Sequence, residues 1–131
     1  MSSASAYAKP PAYPVITEST PLRNPFWEYS RLKIACEERL MQAFREEDFP
    51  VTIVRPSHTY ARIIPVTVIP GNEFTLVDRM RSGRPIIIHG DGTSLWTLTH
   101  SDDFARGMVG LMGNPRSVGE AFHITSDEVL T

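Results

Sequence analysis

Tyr29 and Lys33 stand four residues apart in the run Tyr29-Ser30-Arg31-Leu32-Lys33, and a serine-rich segment, Ser2-Ser3-Ala4-Ser5-Ala6-Tyr7, lies some twenty residues ahead of them. On an α-helix, positions i and i+4 share one face, so the phenol and the ammonium can both point into one cleft. That pairing suits proton transfer. A free tyrosine titrates near ~10, too high for a base at neutral pH, and an adjacent positive charge favours the phenolate. A serine hydroxyl from a preceding strand end could then hydrogen-bond the substrate oxygen whose proton Tyr29 takes or returns. The plain alternative is a half-buried aromatic beside a solvated amine.

The elements that must hold these groups can be read around them. Prolines at 10, 11, 14, 21 and 25 forbid regular helix over residues 8 to 25 and favour an extended surface loop. Phe26 to about Asp48 carries the longest helical pattern, with Tyr29, Leu32, Cys36, Leu40 and Phe44 recurring on one broad face, and Phe49-Pro50 ends it. Residues 51 to 54 are β-branched and suit a short buried strand of a parallel sheet. Ala61 to Pro70 reads as a strand or an extended substrate loop. Asn72 to Ser82 reads as a short helix capped by Asn72 and stopped by Gly83. Pro85 to His89 and Leu95 to Thr99 read as strands on either side of the Gly90-Asp91-Gly92 turn. A helix from about Asp103 to Met112, capped by Ser101 or Asp102, and a strand over Val118 to Thr125 complete the reading.

This order of parts resembles the extended short-chain dehydrogenase/reductase family, the NAD-dependent epimerases and dehydratases that act largely on nucleotide sugars. Residues 2 to 7 are similar to that family's serine strand end, and Tyr29 to Lys33, continuing to Glu37, to its tyrosine-lysine helix. Val51-Thr52-Ile53-Val54-Arg55-Pro56-Ser57-His58-Thr59-Tyr60 resembles the strand and Arg-Pro loop that follow. Gly90-Asp91-Gly92 through His100-Ser101-Asp102-Asp103 resembles the later Gly-Asp-Gly to Asp-Asp stretch. Four motifs in order span nearly the whole chain.

The resemblance implies an α/β fold: part of a doubly wound, Rossmann-like parallel sheet plus part of a small substrate-binding lobe. About residues 1 to 60 would be later cofactor-domain elements, and about 61 to 131 largely substrate lobe with returning cofactor-domain elements. It implies NAD or NADP chemistry in a parent enzyme, on a sugar-like or other hydroxyl or carbonyl substrate. Tyr29 would be the acid/base, Lys33 would assist it and hold the nicotinamide ribose, and Ser3 would polarise the reacting oxygen. Pro56 and Ser57 fall where the family's backbone nears the nicotinamide, Ser5 and His58 where substrate is met, and Arg55 where a structural arginine is usual. His58 reads equally as a satisfied loop histidine.

Two departures bear on substrate. Nucleotide-sugar members usually carry an arginine in the strand after Gly-Asp-Gly, able to grip a diphosphate in bidentate fashion, and here that register falls on Trp96. An indole can stack on a ring or simply fill a core, and it cannot neutralise phosphate. Ala61 stands where glycine commonly follows the loop aromatic. The family's Gly-x-x-Gly-x-x-Gly turn, whose helix N-terminus holds the cofactor pyrophosphate, is not in the sequence, so the chain reads as an internal piece of a longer enzyme that alone would bind dinucleotide weakly or not at all. The alternative function is an inactive remnant serving as a binding or assembly surface. Catalysis in trans with a second chain is a third reading.

At 131 residues, with 41% hydrophobic residues and a formal net charge of −2, the chain has one domain's worth of residues and no charge excess that would draw nucleic acid or membrane. The single Cys36 excludes an internal disulfide, and its neighbours favour a buried inert thiol over a nucleophile. His58, His89, His100 and His123 lack short-range ligand spacing, so no metal is expected. A small-molecule substrate, a cytoplasmic address and a homodimer through the Tyr29–Lys33 helix are the remaining expectations.

Overall fold

A computed structural model describes residues 1–62 and 74–131. Helix α1 (Glu28–Glu47) is the longest element, a twenty-residue run without Gly or Pro, with Glu28 in its first turn and Arg45 in its last. Both charges complement the helix dipole. Asp48 closes it in the left-handed conformation, φ 54°, ahead of Phe49-Pro50.

Parallel pairing dominates the strands. β1 (Ile53–Val54) pairs with β4 (Ala121–Phe122), Ile53 against Ala121 and Val54 against Phe122. The ladder continues where Gly119 N–H donates to the Val51 carbonyl at 2.7 Å and Arg55 N–H to that of Phe122 at 2.8 Å. On the other edge of β1, Ser2 N–H donates to the Val54 carbonyl and Ala4 N–H to that of Pro56, at 2.8 and 2.9 Å. The serine segment therefore lies alongside β1, as the resemblance implies. β2 (His58–Tyr60) and β3 (Leu98–His100) form the second parallel pair, His58 opposite Leu98 and Tyr60 opposite His100. Helices α2 (Phe74–Arg81) and α3 (Ser101–Leu111) complete the α/β arrangement. Ala6, Tyr7, Val51, Ile53, Val54 and Ala43 form the buried apolar core.

The face α1 turns inward differs from the apolar stripe read in the sequence. Ser30, Glu37 and Ala43 are its buried positions, while Tyr29, Leu32 and Cys36 are exposed. Polar groups can occupy the inner face because each finds a partner: Glu37 takes Arg55 and Ser30 takes the Asn24 amide. Cys36 is accordingly an exposed thiol, not a buried one.

Other expectations shift as well. Residues 85 to 89 form no strand, and Ile87 and Ile88 are exposed; a β-branched run needs a ladder partner before its propensity counts. α3 is capped by His100, whose Nδ1 accepts the Asp102 N–H at 3.2 Å, in place of Ser101 or Asp102. The strand expected over 118 to 125 shrinks to Ala121–Phe122. Most of the Ala61–Pro70 segment and the Asn72 cap lie outside the described residues. Gly83, at φ +62°, follows α2 as expected of a helix stop.

Gly119 locks the sheet to α1. Its φ is +82°, and a Cβ there would lie 2.5 Å from Cζ of Phe44 on α1. Gly119→Ala thus combines backbone strain with a clash against an aromatic ring. It is expected to cost about 2–3 kcal/mol of stability, read as a lower urea midpoint; a loss below about 0.5 kcal/mol would show that neither the strain nor the clash matters.

Candidate functional site

The serine segment turns sharply after leaving β1. Ser3 caps a 3-10 turn, Ala4–Ala6, and its Oγ accepts the Ser5 N–H at 3.2 Å. Used as an acceptor there, the Ser3 hydroxyl keeps its own proton free to donate. The Oγ atoms of Ser2 and Ser5 are buried without a partner. Asn24 ties this turn to the start of α1: its Nδ2 donates to the Ser5 carbonyl at 2.8 Å and to Ser30 Oγ at 3.3 Å, while its Oδ1 accepts the Phe26 N–H. Asn24 was not among the candidate residues, although Asn-Pro ahead of a helix is a turn signal.

Tyr29 and Lys33 share one face of α1, with Nζ of Lys33 5.4 Å from the centre of the Tyr29 ring. Lys33 also donates to the Met1 carbonyl at 3.1 Å, two residues before Ser3. The Tyr29 ring packs on Trp27 at 4.9 Å and is 41% exposed, so the phenol is open to solvent. Pro56 borders the same place through its carbonyl bond to Ala4 N–H, and half-buried Ser57 leads from it into β2. The structure thus gathers Ser3, Ser5, Lys33 and Pro56 around the serine turn, with Tyr29 beside Lys33. His58 and Trp96 form a second group, ring centres 5.0 Å apart, reached through Ser57.

Behind the turn sits a buried charge network that the sequence only hinted at. Arg55 donates through Nε to Glu37 at 3.0 and 3.2 Å and through NH2 at 2.7 Å, and through NH1 to the Tyr7 hydroxyl and the Glu18 carbonyl. Burial alone would push its guanidinium down, and the bonds to Glu37 and Tyr7 hold it well above its usual range. Burial pushes the Tyr7 phenol up, against the pull of Arg55. Glu37 lies four residues beyond Lys33, so one helix sends Lys33 to the serine segment and Glu37 to the arginine that follows β1. This is the structural role expected of Arg55.

His123 packs its ring 5.5 Å from Tyr7, and its backbone N–H donates to Glu18 Oε1 at 2.9 Å. Burial lowers the His123 imidazole from its ordinary value of 6.5, with Arg55 lowering it further and Glu18 opposing. Burial also lowers His58, aided by His89 and Lys9. A base depressed on folding contributes stability above its unfolded value that is lost as pH falls toward the folded one. Stability is therefore expected to drop below about pH 6.5, with the melting temperature falling between pH 7 and 5 and falling less in a His123→Phe chain. An unchanged slope in that variant would remove His123 from the account.

Among the described residues no group of three His, Cys, Asp or Glu side chains could hold a metal, and no helix is long and apolar enough to cross a membrane.

Parallel strands flanked by helices, with a serine turn held against a tyrosine-lysine helix, make an α/β arrangement of the doubly wound kind. Residues 1–125 match the NAD dependent epimerase/dehydratase family, and the chain belongs to it. A curated relative, the 2'-dehydrokanamycin reductase of Streptomyces kanamyceticus, is 27% identical over 111 residues, 85% of this chain and 31% of the relative. The UDP-glucuronic acid 4-epimerase of Bacillus cereus, solved in complex with NAD, superposes with a TM-score of 0.76 at 25% identity, over 98% of this chain and 40% of the epimerase. The dTDP-glucose 4,6-dehydratase of Bacillus anthracis, also solved with NAD, gives 0.76 at 23% identity, over 99% and 40%. The chain thus spans about a third of the curated relative and two fifths of these structures.

Proposed function

We propose that this chain supplies the proton-transfer half of an NAD(P)-dependent epimerase, dehydratase or reductase acting on a sugar-like hydroxyl or carbonyl. The observation that carries this reading is the exposed Tyr29 phenol with the Lys33 ammonium 5.4 Å from its ring, on a helix bonded back to the Met1 carbonyl beside the serine segment. The relatives support the same class, since they include a reductase, an epimerase and a dehydratase.

The residues present fit the nicotinamide-ribose end of a dinucleotide. Lys33 spends one of its three donors on the Met1 carbonyl and has two left for ribose hydroxyls. Tyr29 offers a further hydroxyl on the same helical face, and Pro56 and Ser57 line the neighbouring backbone. When bound, the dinucleotide accepts or supplies hydride. Tyr29 then removes a proton from a substrate hydroxyl during oxidation, or returns one to a carbonyl oxygen during reduction. The Lys33 charge beside the ring steadies the negative charge that Tyr29 carries while deprotonated, and the Ser3 hydroxyl donates to the same substrate oxygen.

Lys33→Met tests the two roles together. In a protein that joins these residues to a pyrophosphate site, the substitution should weaken dinucleotide affinity by about tenfold or more, equal to at least ~1.4 kcal/mol, and lower turnover as well. Titration calorimetry reads the first and steady-state kinetics the second. The 131-residue chain alone should bind either dinucleotide more weakly than micromolar. Unchanged affinity in the Lys33→Met enzyme, or micromolar binding by the chain alone, would contradict this reading.

A further inference from the structure

One face of the β2–β3 pair is lined with aromatic rings. Side chains alternate across a strand, so His58 and Tyr60 share a face of β2, and Leu98 and His100 share one of β3 with Trp96 in step two residues earlier. The rings meet across the strands: His58 lies 5.0 Å from Trp96, edge to face, and Tyr60 lies 5.3 Å from His100. His89, ahead of the Gly90-Asp91-Gly92 turn, adds a fifth ring, 5.2 Å from Trp96. Thr59 and Thr99 occupy the opposite face; Thr99 is buried, with its Oγ1 accepting the Ser126 N–H at 3.0 Å.

The aromatic face is not sealed as a core would be. Tyr60 is 36% exposed and the His100 side chain 39%, His89 is exposed, and His58 and Trp96 are half-buried. Every ring on it carries a polar handle, an indole N–H, a phenol or an imidazole nitrogen. An apolar ring surface edged by donors and acceptors complements a molecule with a C–H face and a hydroxyl rim. The face also adjoins the serine turn, since His58 is two residues past Pro56, whose carbonyl accepts the Ala4 N–H.

We propose that the aromatic face formed by His89, Trp96, His58, Tyr60 and His100 is a stacking platform for the pyranose ring of a glycoside that carries no phosphate. This rests on the sugar-directed reading above and narrows it. Burial, His89 and Lys9 together keep the His58 imidazole below its ordinary titration range, so at neutral pH it offers a hydrogen bond and no charge. Lys9 is a point cation, whereas a diphosphate is best held by a bidentate guanidinium, and none of the five platform residues is an arginine. The Trp96 backbone is held in place by the hydrogen bonds it exchanges with Leu130 at 2.7 and 2.8 Å.

The test uses the 131-residue chain with Trp27→Phe, which leaves Trp96 as the one tryptophan. Methyl glucoside, methyl galactoside, methyl mannoside and uridine monophosphate are titrated separately, following Trp96 emission and saturation-transfer NMR. At least one methyl glycoside should saturate with a dissociation constant of about 1–10 mM, and the nucleotide should bind at least about tenfold more weakly. In the chain with Trp27 intact, Trp96→Ala should abolish the glycoside transfer signal and Trp96→Phe should keep part of it, with circular dichroism unchanged in both. No saturation by any of the three glycosides, tighter binding of the nucleotide, or an undiminished signal in a folded Trp96→Ala chain would overturn the platform. This titration reads ring binding on the platform, whereas turnover of the Tyr29→Phe variant reads proton transfer separately. Glycoside binding without Tyr29-dependent turnover would therefore refute the proton-transfer reading alone, and the converse would refute the platform alone.

Discussion

Phenylalanine in place of Tyr29 is expected to lower turnover of the complete enzyme by about 10²–10⁴-fold, the usual worth of a positioned general acid or base. The substitution keeps the ring, and with it the packing on Trp27 at 4.9 Å and the contact with the Lys33 ammonium, so helix α1 should be undisturbed. Dinucleotide affinity should change by less than about threefold, or ~0.7 kcal/mol, because Lys33 retains its bond to the Met1 carbonyl and its remaining donors. Single-turnover kinetics over a pH series would locate the loss in the chemical step. Near-normal turnover would return Tyr29 to the plain reading, an exposed aromatic beside a solvated amine.

Arg55→Ala is expected to be the most destabilising single change, at about 3–5 kcal/mol. It strands the Glu37 carboxylate, 3% exposed, without its cation, and it also removes donors to the Tyr7 hydroxyl and the Glu18 carbonyl. For a small domain with ~5–15 kcal/mol in hand, that loss is a large share of the total. Replacing both partners, Glu37→Leu with Arg55→Met, should recover most of it, since two apolar side chains of similar volume need no desolvation of charge. Urea unfolding of the single and double variants reads the coupling directly. A cost below about 1 kcal/mol for Arg55→Ala would mean that water reaches Glu37 readily and that the network is peripheral.

The two predictions probe parts of the chain that were unequally legible. Tyr29 and Lys33 fall on one helix four residues apart, so their shared face follows from helical geometry alone, and the sequence was sufficient for it. The strand expected over residues 51 to 54, found at Ile53–Val54, was legible in part for a similar reason: β-branched residues between a helix stop and an Arg-Pro turn have few other local options. The ordered motifs that carry the family resemblance also implied the α/β class, and the parallel Ile53–Ala121 and His58–Leu98 pairing agrees with it.

Burial was not legible in the same way. The apolar period of α1 pointed to Tyr29, Leu32 and Cys36 as its covered face, yet Ser30 and Glu37 are the ones buried, because partners up to eighteen residues away satisfy them. The run over residues 85 to 89 had strand propensity without a ladder partner. His58, His89 and Trp96 were separate points along the chain, and only the parallel register of β2 and β3, with the turn at Gly90, stacks their rings. Local spacing fixes which residues of a single element point together. Which elements meet, and hence which charges pair and which rings touch, depends on contacts between residues far apart in sequence, and the tertiary structure alone decides those.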